Sequence, residues 1–370
     1  MSGNEFGRVA IIHYWLVGMR GGEKVIEALC RMFPQADIFT HVADPAKLSA
    51  TLTKHKIIET RVGRLPMATK MYQKYLPLMP RALEELDLTG YDLVISSESG
   101  PAKGVIAPPD TPHLCYCHSP MRYLWDQYHV YRNGAGFITR MAMPLLAHSL
   151  RQWDVTSAAR VDGFAANSGH VANRIKKYWR RDADVVAPPV AVDDFKPVAS
   201  SELGDFYLWV GELAPYKRPD LAVEAFKKLN KPFVVIGGPD ETVKKLQAIA
   251  GPKTKFLGKA PFDVLKDHMA RCKALIFPGE EDFGIVPVEA MASGRPVIAY
   301  GRGGILDSVV ENETGLFFKN QTVEELVDAV ERFENAGLDA VDPQICVNRA
   351  RLFDENAFRE GVYASLAKIM

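Results

Sequence analysis

No apolar run in this 370-residue sequence approaches the ~20 residues a membrane-spanning helix needs, so no spanning helix is expected. Charge of one sign is also lacking. Forty-five basic residues balance forty-five acidic ones, and a chain without net charge has no field to gather nucleic acid, so no nucleic-acid partner is expected. Cysteine is scarce and odd in number. Cys30, Cys115, Cys117, Cys272 and Cys346 sit mostly in apolar runs, which argues against a disulfide framework and for reduced, buried thiols in a cytoplasmic protein. Cys115 and Cys117 share one face of a strand, but no second Cys/His pair at zinc spacing accompanies them, and no metal site is expected. Low-complexity tracts and short-period repeats are missing as well. The stretch Val9–His13 is too short for a signal peptide and lacks a small-residue cleavage site, so it reads as a first strand.

What is present is ordinary globular material, 47% hydrophobic and 24% charged, in a length that suggests two domains. Short apolar runs bounded by glycine or proline alternate with helical patterns, the mark of parallel sheets flanked by helices. Strands are expected at 8–13, 93–96, 113–117 and 163–166, then at 206–210, 233–236, 274–277, 296–299 and 315–317. Helices are expected at 23–32 and 171–178, then at 220–229, 241–248 and 286–293. The proline-rich stretch from Pro188 to Pro197 has no periodicity. The expected division is therefore a first α/β domain at 1–187, a linker at 188–203, a second α/β domain at 204–352, and a helix at 353–370 that packs back towards the first domain.

The densest chemistry lies in Ala274–Gly294. An apolar strand stops at Pro278, a polar loop with Glu281, Asp282, Phe283 and Gly284 follows, and a helix opens with Pro287 in its first turn. Loop and first-turn N–H groups offer a diphosphate a cradle that needs no metal. Glu281 on the loop and Glu289 in the first turn can accept paired hydrogen bonds from neighbouring sugar hydroxyls, although Glu289 alone reads equally as an offset to the helix dipole. In Trp209–Asp220 a strand ends, turns and starts a helix. Lys217 and Arg218 then stand at the C-terminal edge of a sheet, where ligands of open α/β folds collect and a leaving diphosphate needs countercharge.

In the first half, Gly21 and Gly22 follow the first strand, let backbone approach a ligand and aim a helix N-terminus at it. His118 ends an apolar strand, either as a backbone-bonded histidine or as a site residue, and Arg122, Tyr123 and Trp125 follow it. Asn167 and Ser168 read as a helix N-cap or as site residues. From Lys54 to Arg81, Lys54, Lys56, Arg61, Arg64, Lys70, Lys74 and Arg81 face one acid, Glu59, and are interleaved with Met67, Met71, Tyr72 and Leu78. A cationic amphipathic helix of this kind suits peripheral contact with an anionic membrane, and equally an ordinary solvated face.

Taken together and in this order, these segments resemble glycosyltransferase family 4, whose Glu-x7-Glu signature is matched by Glu281 and Glu289, with Phe283, Gly284 and Pro287 in register. The resemblance implies an α/β fold of the GT-B type, two Rossmann-like, doubly wound parallel-sheet domains facing across a cleft. It implies that Glu281 contacts the donor hexose, that Phe283, Gly284 and Ile285 present main-chain N–H groups to sugar and phosphate, and that Glu289 binds the nucleotide ribose. Lys217 holds the donor phosphates, His118 faces the donor sugar, and Gly21 and Gly22 belong to the loop near the phosphates and acceptor. Arg122, Tyr123 and Trp125 look like walls of the acceptor side. Two positions depart from the family pattern: Glu212 replaces the usual arginine, so that either Arg218 takes over its task or the phosphate site is weakened, and Asp282 replaces the usual glycine.

The reaction implied is metal-independent, cofactor-free transfer of a hexose from a nucleoside diphosphate sugar to a saccharide or polyprenyl-linked saccharide. It retains the anomeric configuration by a front-face route, with His118, Lys217 and Glu281 as the catalytic residues. Glu212–Phe226 and the segment around His118 look most like bacterial polysaccharide and O-antigen mannosyltransferases. GDP-mannose therefore stands ahead of other donors, and the expected setting is surface-polysaccharide synthesis in the cytoplasm, at the inner face of the membrane. A nucleotide-sugar 2-epimerase of the same fold and a weakly active sugar-nucleotide-binding regulator are the alternatives.

Overall fold

The computed structural model describes residues 3–337 and 342–370; Met1, Ser2 and residues 338–341, which fall inside the expected domains, lie outside the described residues. The chain divides into two compact units, Met1–Pro189 with Phe358–Met370, and Val190–Ala357. No helix among the described residues is long and apolar enough to cross a membrane.

The first unit is built on β1 (Val9–His13), β2 (Asp37–Thr40), β3 (Ile57–Glu59), β4 (Leu93–Glu98), β5 (His113–Cys117), β6 (Gly163–Ala166) and β7 (Asp184–Val185), all parallel, in the order β3-β2-β1-β4-β5-β6-β7. Strand side chains alternate between faces. Val9 and Ile11 join Val25, Leu29 and Phe33 on one side, while Ala10 and Ile12 meet Leu83, Leu88 and Val105 on the other. Covered on both faces, β1 is a continuous apolar run, which is why it reads so clearly in sequence. The Glu355–Leu366 helix contributes Phe358, Val362 and Leu366, one per turn, to the first of these cores, with Phe358 edge-on to Tyr116 at 5.4 Å.

The second unit has β8 (Tyr207–Val210), β9 (Phe233–Ile236), β10 (Thr254–Gly258), β11 (Leu275–Phe277), β12 (Val297–Tyr300) and β13 (Gly315–Phe318), again parallel, in the order β10-β9-β8-β11-β12-β13. In each unit the chain winds outward from a central strand and then returns to that strand's other side. The C-terminal ends of β1 and β4, and of β8 and β11, thus flank the switch point where open α/β sheets hold ligands.

Besides the strands β2, β3, β7 and β10, which were not expected, two features of the first unit stand out. The basic segment Lys54–Arg81 is not one amphipathic helix. It breaks into the short turns Arg61–Arg64, Ala68–Met71, Tyr72–Leu78 and Met79–Glu84, as Pro66, Pro77 and Pro80 require. Val62, Ala68 and Met79 from these turns are buried, and Arg61 and Arg81 both reach Glu85, at 3.4 and 3.0 Å. The second feature has no sequence signal at all: Lys103 is fully buried between Glu98 (3.2 Å) and Asp154. Asp154 also accepts the indole N–H groups of Trp125 and Trp179, each at 2.8 Å, and the Lys103 ammonium lies 4.1 Å from the centre of the Trp179 ring. Burial opposes the charge on Lys103, but Asp154 and Glu98 outweigh it and raise its pKa. The pinned loop between Glu98 and Lys103 leaves from the end of β4, next to Ser97.

Candidate functional site

In the second unit, two loops meet at the switch point. After β8, Gly211–Ala214 leads into the turn Pro215–Lys217, and Arg218 follows in the left-handed region (φ 52°) before the Pro219–Leu229 helix. After β11, Pro278–Gly284 leads into the Ile285–Ala292 helix, with Gly284 at φ 91°. Gly279 allows the contact, since a side chain there would meet Lys217 Cα at 2.7 Å and the Tyr216 carbonyl at 2.9 Å. The result is an ion pair between Lys217 Nζ and Glu281 Oε1 at 2.7 Å, both side chains largely buried. Burial works against the Lys217 charge, but Glu281, Tyr216 and Glu212 together hold its pKa above the usual lysine range. Lys217 is therefore a permanent cation with two carboxylates acting on it.

Beside this pair lies a row of donors. First-turn N–H groups have no acceptor within their own helix. Among the described residues, none of the N–H groups of Phe283, Gly284 and Ile285 donates to a loop carbonyl. The Phe283 ring is buried against Phe353 (5.7 Å), so only its backbone can serve a ligand. Glu289 is half-buried and sits at the fifth position of its helix rather than in the first turn, because the helix opens at Ile285, one residue earlier than its sequence pattern indicates. Arg218 is not joined to Lys217; its guanidinium is gripped by both oxygens of Asp220, at 2.9–3.1 Å. A cavity of about 570 Å³ opens beyond the ends of β8 and β9, lined by Glu212, Leu213, Gly237, Gly238 and Lys259.

In the first unit, His118 follows β5 and its Nε2 lies 2.8 Å from Ser97 Oγ at the end of β4. The same hydroxyl lies 3.1 Å from Nδ1 of His13, the last residue of β1, so Ser97 links the two imidazoles. Burial lowers the His118 pKa to about 4 and takes that of His13 well below the ordinary value, with His118 adding to the effect on His13. Both rings are neutral near pH 7. Gly21 and Gly22 open the Gly21–Met32 helix, and Gly22 has a local reason to be glycine: a Cβ there would lie 2.5 Å from the Tyr14 hydroxyl. Ser168 accepts from Val171 N at 3.1 Å and caps the Gly169–Trp179 helix.

Of the acceptor-wall residues, Trp125 is engaged elsewhere, donating to Asp154 and stacking on Tyr178 at 4.7 Å. Tyr123 keeps a buried hydroxyl without a hydrogen-bond partner, 6.1 Å ring to ring from Tyr131, and Arg122 is half-buried beside it in sequence. Sequence reading missed Ser97, His13, Gly279 and the Gly303-Gly304 pair. Gly304 N donates to Glu281 O at 2.9 Å, and a Cβ on Gly304 would clash with the Asp282 and Phe283 backbone. Consecutive glycines after a strand were the available signal for that pair.

Two family models match the chain back to back: residues 19–194 fit the one described as Glycosyltransferase Family 4, and residues 193–352 the one described as Glycosyl transferases group 1. Among curated proteins, a D-inositol 3-phosphate glycosyltransferase of Frankia alni is 29% identical over 177 residues, covering 40% of this chain and 44% of that protein. Its counterpart from Acidothermus cellulolyticus is 28% identical over 240 residues, 56% and 53%. The chain thus spans about half the length of the curated relatives it matches, or less. Among solved structures, sucrose-phosphate synthase of Thermosynechococcus elongatus superposes with a TM-score of 0.72 at 18% identity, covering 98% and 100% of the two chains. Anabaena HepE in complex with UDP and glucose superposes at 0.68 and 16%, covering 98% and 99%. Likenesses at this identity speak to the fold, which is GT-B, with two parallel-sheet α/β domains.

Proposed function

Because the chain belongs to the glycosyltransferases of family 4, we propose that it transfers a hexose from a nucleoside diphosphate sugar to a saccharide or polyprenyl-linked saccharide, with retention at the anomeric carbon. The observation that carries this reading is the Lys217–Glu281 pair next to the N–H groups of Phe283, Gly284 and Ile285. In the protein alone the carboxylate holds the cation. A bound donor takes the cation over with its diphosphate and leaves Glu281 to accept hydrogen bonds from the hexose hydroxyls. As the glycosidic bond breaks, negative charge grows on the leaving phosphate, where a preformed cation and fixed N–H dipoles stabilise it most and need no metal or cofactor. The pairing of Glu281 with Lys217 favours a front-face departure, in which a phosphate oxygen takes the acceptor proton, over covalent attack by a carboxylate. His118, neutral through burial, acts as a hydrogen-bonding group towards the sugar rather than as an acid.

The cavity beside Glu212 supports a nucleoside seat next to Lys217, with Glu289 for the ribose. The partnerless Tyr123 hydroxyl, with Arg122, supports an acceptor contact. GDP-mannose is the proposed donor on the likeness of Glu212–Phe226 to bacterial polysaccharide mannosyltransferases. The proposed setting is the cytoplasmic face of a membrane, with Lys70 and Lys74 exposed for contact. A thermal-shift panel of GDP-mannose, UDP-glucose and ADP-glucose tests the donor, since a ligand at about 100 times its Kd stabilises by roughly 2.7 kcal/mol. A shift with GDP-mannose and an α-configured product by NMR are expected. An epimer formed without acceptor, or binding without turnover on any acceptor, would replace the reading with one of its two alternatives.

A further inference from the structure

The Phe137–Ala158 helix departs from the pattern of a surface helix. Its buried residues, Ala147, Leu150, Asp154, Ser157 and Ala158, lie along one side. At 3.6 residues per turn, Phe137, Ile138, Met141 and Leu145 fall on the opposite side, within an arc of about 100°. An ordinary surface helix is polar there. All four are instead exposed, at 80%, 83%, 67% and 78%. The helix just before it, Tyr128–Gly134, adds Val130 and Tyr131 at 69% and 49%, and the two helices are tied by Arg132 Nε donating to the Arg140 carbonyl at 3.5 Å. Six large apolar side chains on one helical hairpin make the kind of exposed patch that marks a binding surface.

The charge around the patch selects the partner. Between Asp126 and Asp154 the sequence contains no acid, only Arg132, Arg140 and Arg151 with His129 and His148. Arg151 is used internally, donating to the Leu124 carbonyl at 2.6 Å and covering the Tyr128 ring at 4.6 Å. Arg132 and Arg140 have no carboxylate partner among the described residues. A second copy of this chain is a poor occupant, because a two-fold interface would lay this acid-free, basic stretch against an identical one that offers its arginines no carboxylate. An anionic bilayer matches both halves of the surface: apolar side chains enter the headgroup boundary while arginines meet the phosphates. The Lys54–Arg81 segment, by contrast, turns most of its apolar side chains into its own core and keeps mainly charge outside.

We propose that Val130, Tyr131, Phe137, Ile138, Met141 and Leu145, flanked by Arg132 and Arg140, form a face that docks onto an anionic lipid bilayer. The docking goes beyond the transfer reaction and does not depend on it. Co-sedimentation with vesicles of phosphatidylglycerol and phosphatidylcholine, against phosphatidylcholine alone, tests it on the full chain. Wild-type protein is expected to bind the mixed vesicles. Ile138→Glu with Leu145→Glu is expected to reduce that binding by about tenfold or more, and Arg132→Glu with Arg140→Glu by a similar factor on the anionic vesicles only. Ile138, Leu145 and Arg140 are exposed, and Arg132 is half-buried with no carboxylate partner among the described residues. None of the four belongs to the unit that carries the donor loops, so melting curves and nucleotide-sugar thermal shifts should stay close to wild type. A failure of docking therefore leaves the transfer reading untouched, and the converse holds. Three results would overturn the proposal: no vesicle binding by wild type, undiminished binding by Ile138→Glu with Leu145→Glu, or a wild-type dimer in sedimentation velocity that those substitutions dissolve.

Discussion

At the scale of single residues, the proposed chemistry centres on the Lys217–Glu281 pair, and Glu212 complicates it. Glu212 helps hold the Lys217 charge, yet a diphosphate arriving at Lys217 brings like charge towards it. Removing that carboxylate should help the donor. Glu212→Gln is expected to tighten nucleoside diphosphate binding about fivefold, the effect of roughly 1 kcal/mol between partly solvated charges, and to lose the advantage in high salt. Isothermal titration at two ionic strengths checks both parts, and weaker binding by the variant would mean that Glu212 contacts the ligand favourably. The loop positions of Glu281 and Lys217 after their strands were legible in the sequence, because strand, loop and helix follow one another directly there, whereas Glu289 falls beyond the first turn where it was expected. The grip of Asp220 on Arg218 was not, since it depends on a left-handed residue that no side-chain pattern announces. Nor was the bonding of Trp125 to Asp154, 29 residues away in the chain.

Among the elements, legibility followed burial. The buried strands β1, β4, β5, β8, β9 and β11 were placed to within two residues, since their runs are apolar on both faces. The half-exposed β3, the two-residue β7 and the alternating edge strand β10 were missed, because nothing covers both their faces and their sequences resemble loops. The exception is β2, missed although buried, because its four residues open on Asp37 and close on Thr40 around only two apolar side chains. Lys54–Arg81 misled for the opposite reason: a helical periodicity of apolar residues is also what a chain of short turns shows when it lies against a core. The Lys103 cluster ties the loop after β4 to the Phe137–Ala158 and Gly169–Trp179 helices, and three separate segments had to fold before it existed. Lys103→Met strands two buried carboxylates without a cation. It is expected to lower the unfolding free energy by about 3–5 kcal/mol in urea titrations, and an unchanged midpoint would show that the cluster bears little of the stability.

For the molecule as a whole, the two-domain α/β architecture was the most legible feature, as alternation of strand and helix patterns survives errors in single elements. Its response to acid was not legible, because it comes from burial. His41 and His118 are held at about 4, His113 at about 3, and His13 well below its ordinary value, in each case chiefly by burial. Unfolding returns each towards 6.5, so the unfolded chain binds protons that the native one refuses, and stability present above pH 6.5 is lost as the pH falls towards 4. Glu23 and Glu98, raised by burial, act in the other direction, two groups against four. Calorimetric midpoints should hold steady near pH 7–8 and then decline from about pH 6.5 downwards; a flat or rising midpoint over that range would contradict the assignment of neutral buried histidines.

In the proposed reaction Lys217, paired with Glu281, carries the charge that develops on the leaving diphosphate. The most direct test is turnover of the nucleotide sugar by Lys217→Met, followed as released nucleoside diphosphate with acceptor at saturation. Loss of one preformed countercharge should lower kcat by roughly 10²–10³ in a variant that still folds but melts earlier, because Glu281 is left largely buried without its cation. A variant that folds and turns over at the wild-type rate would contradict the claim.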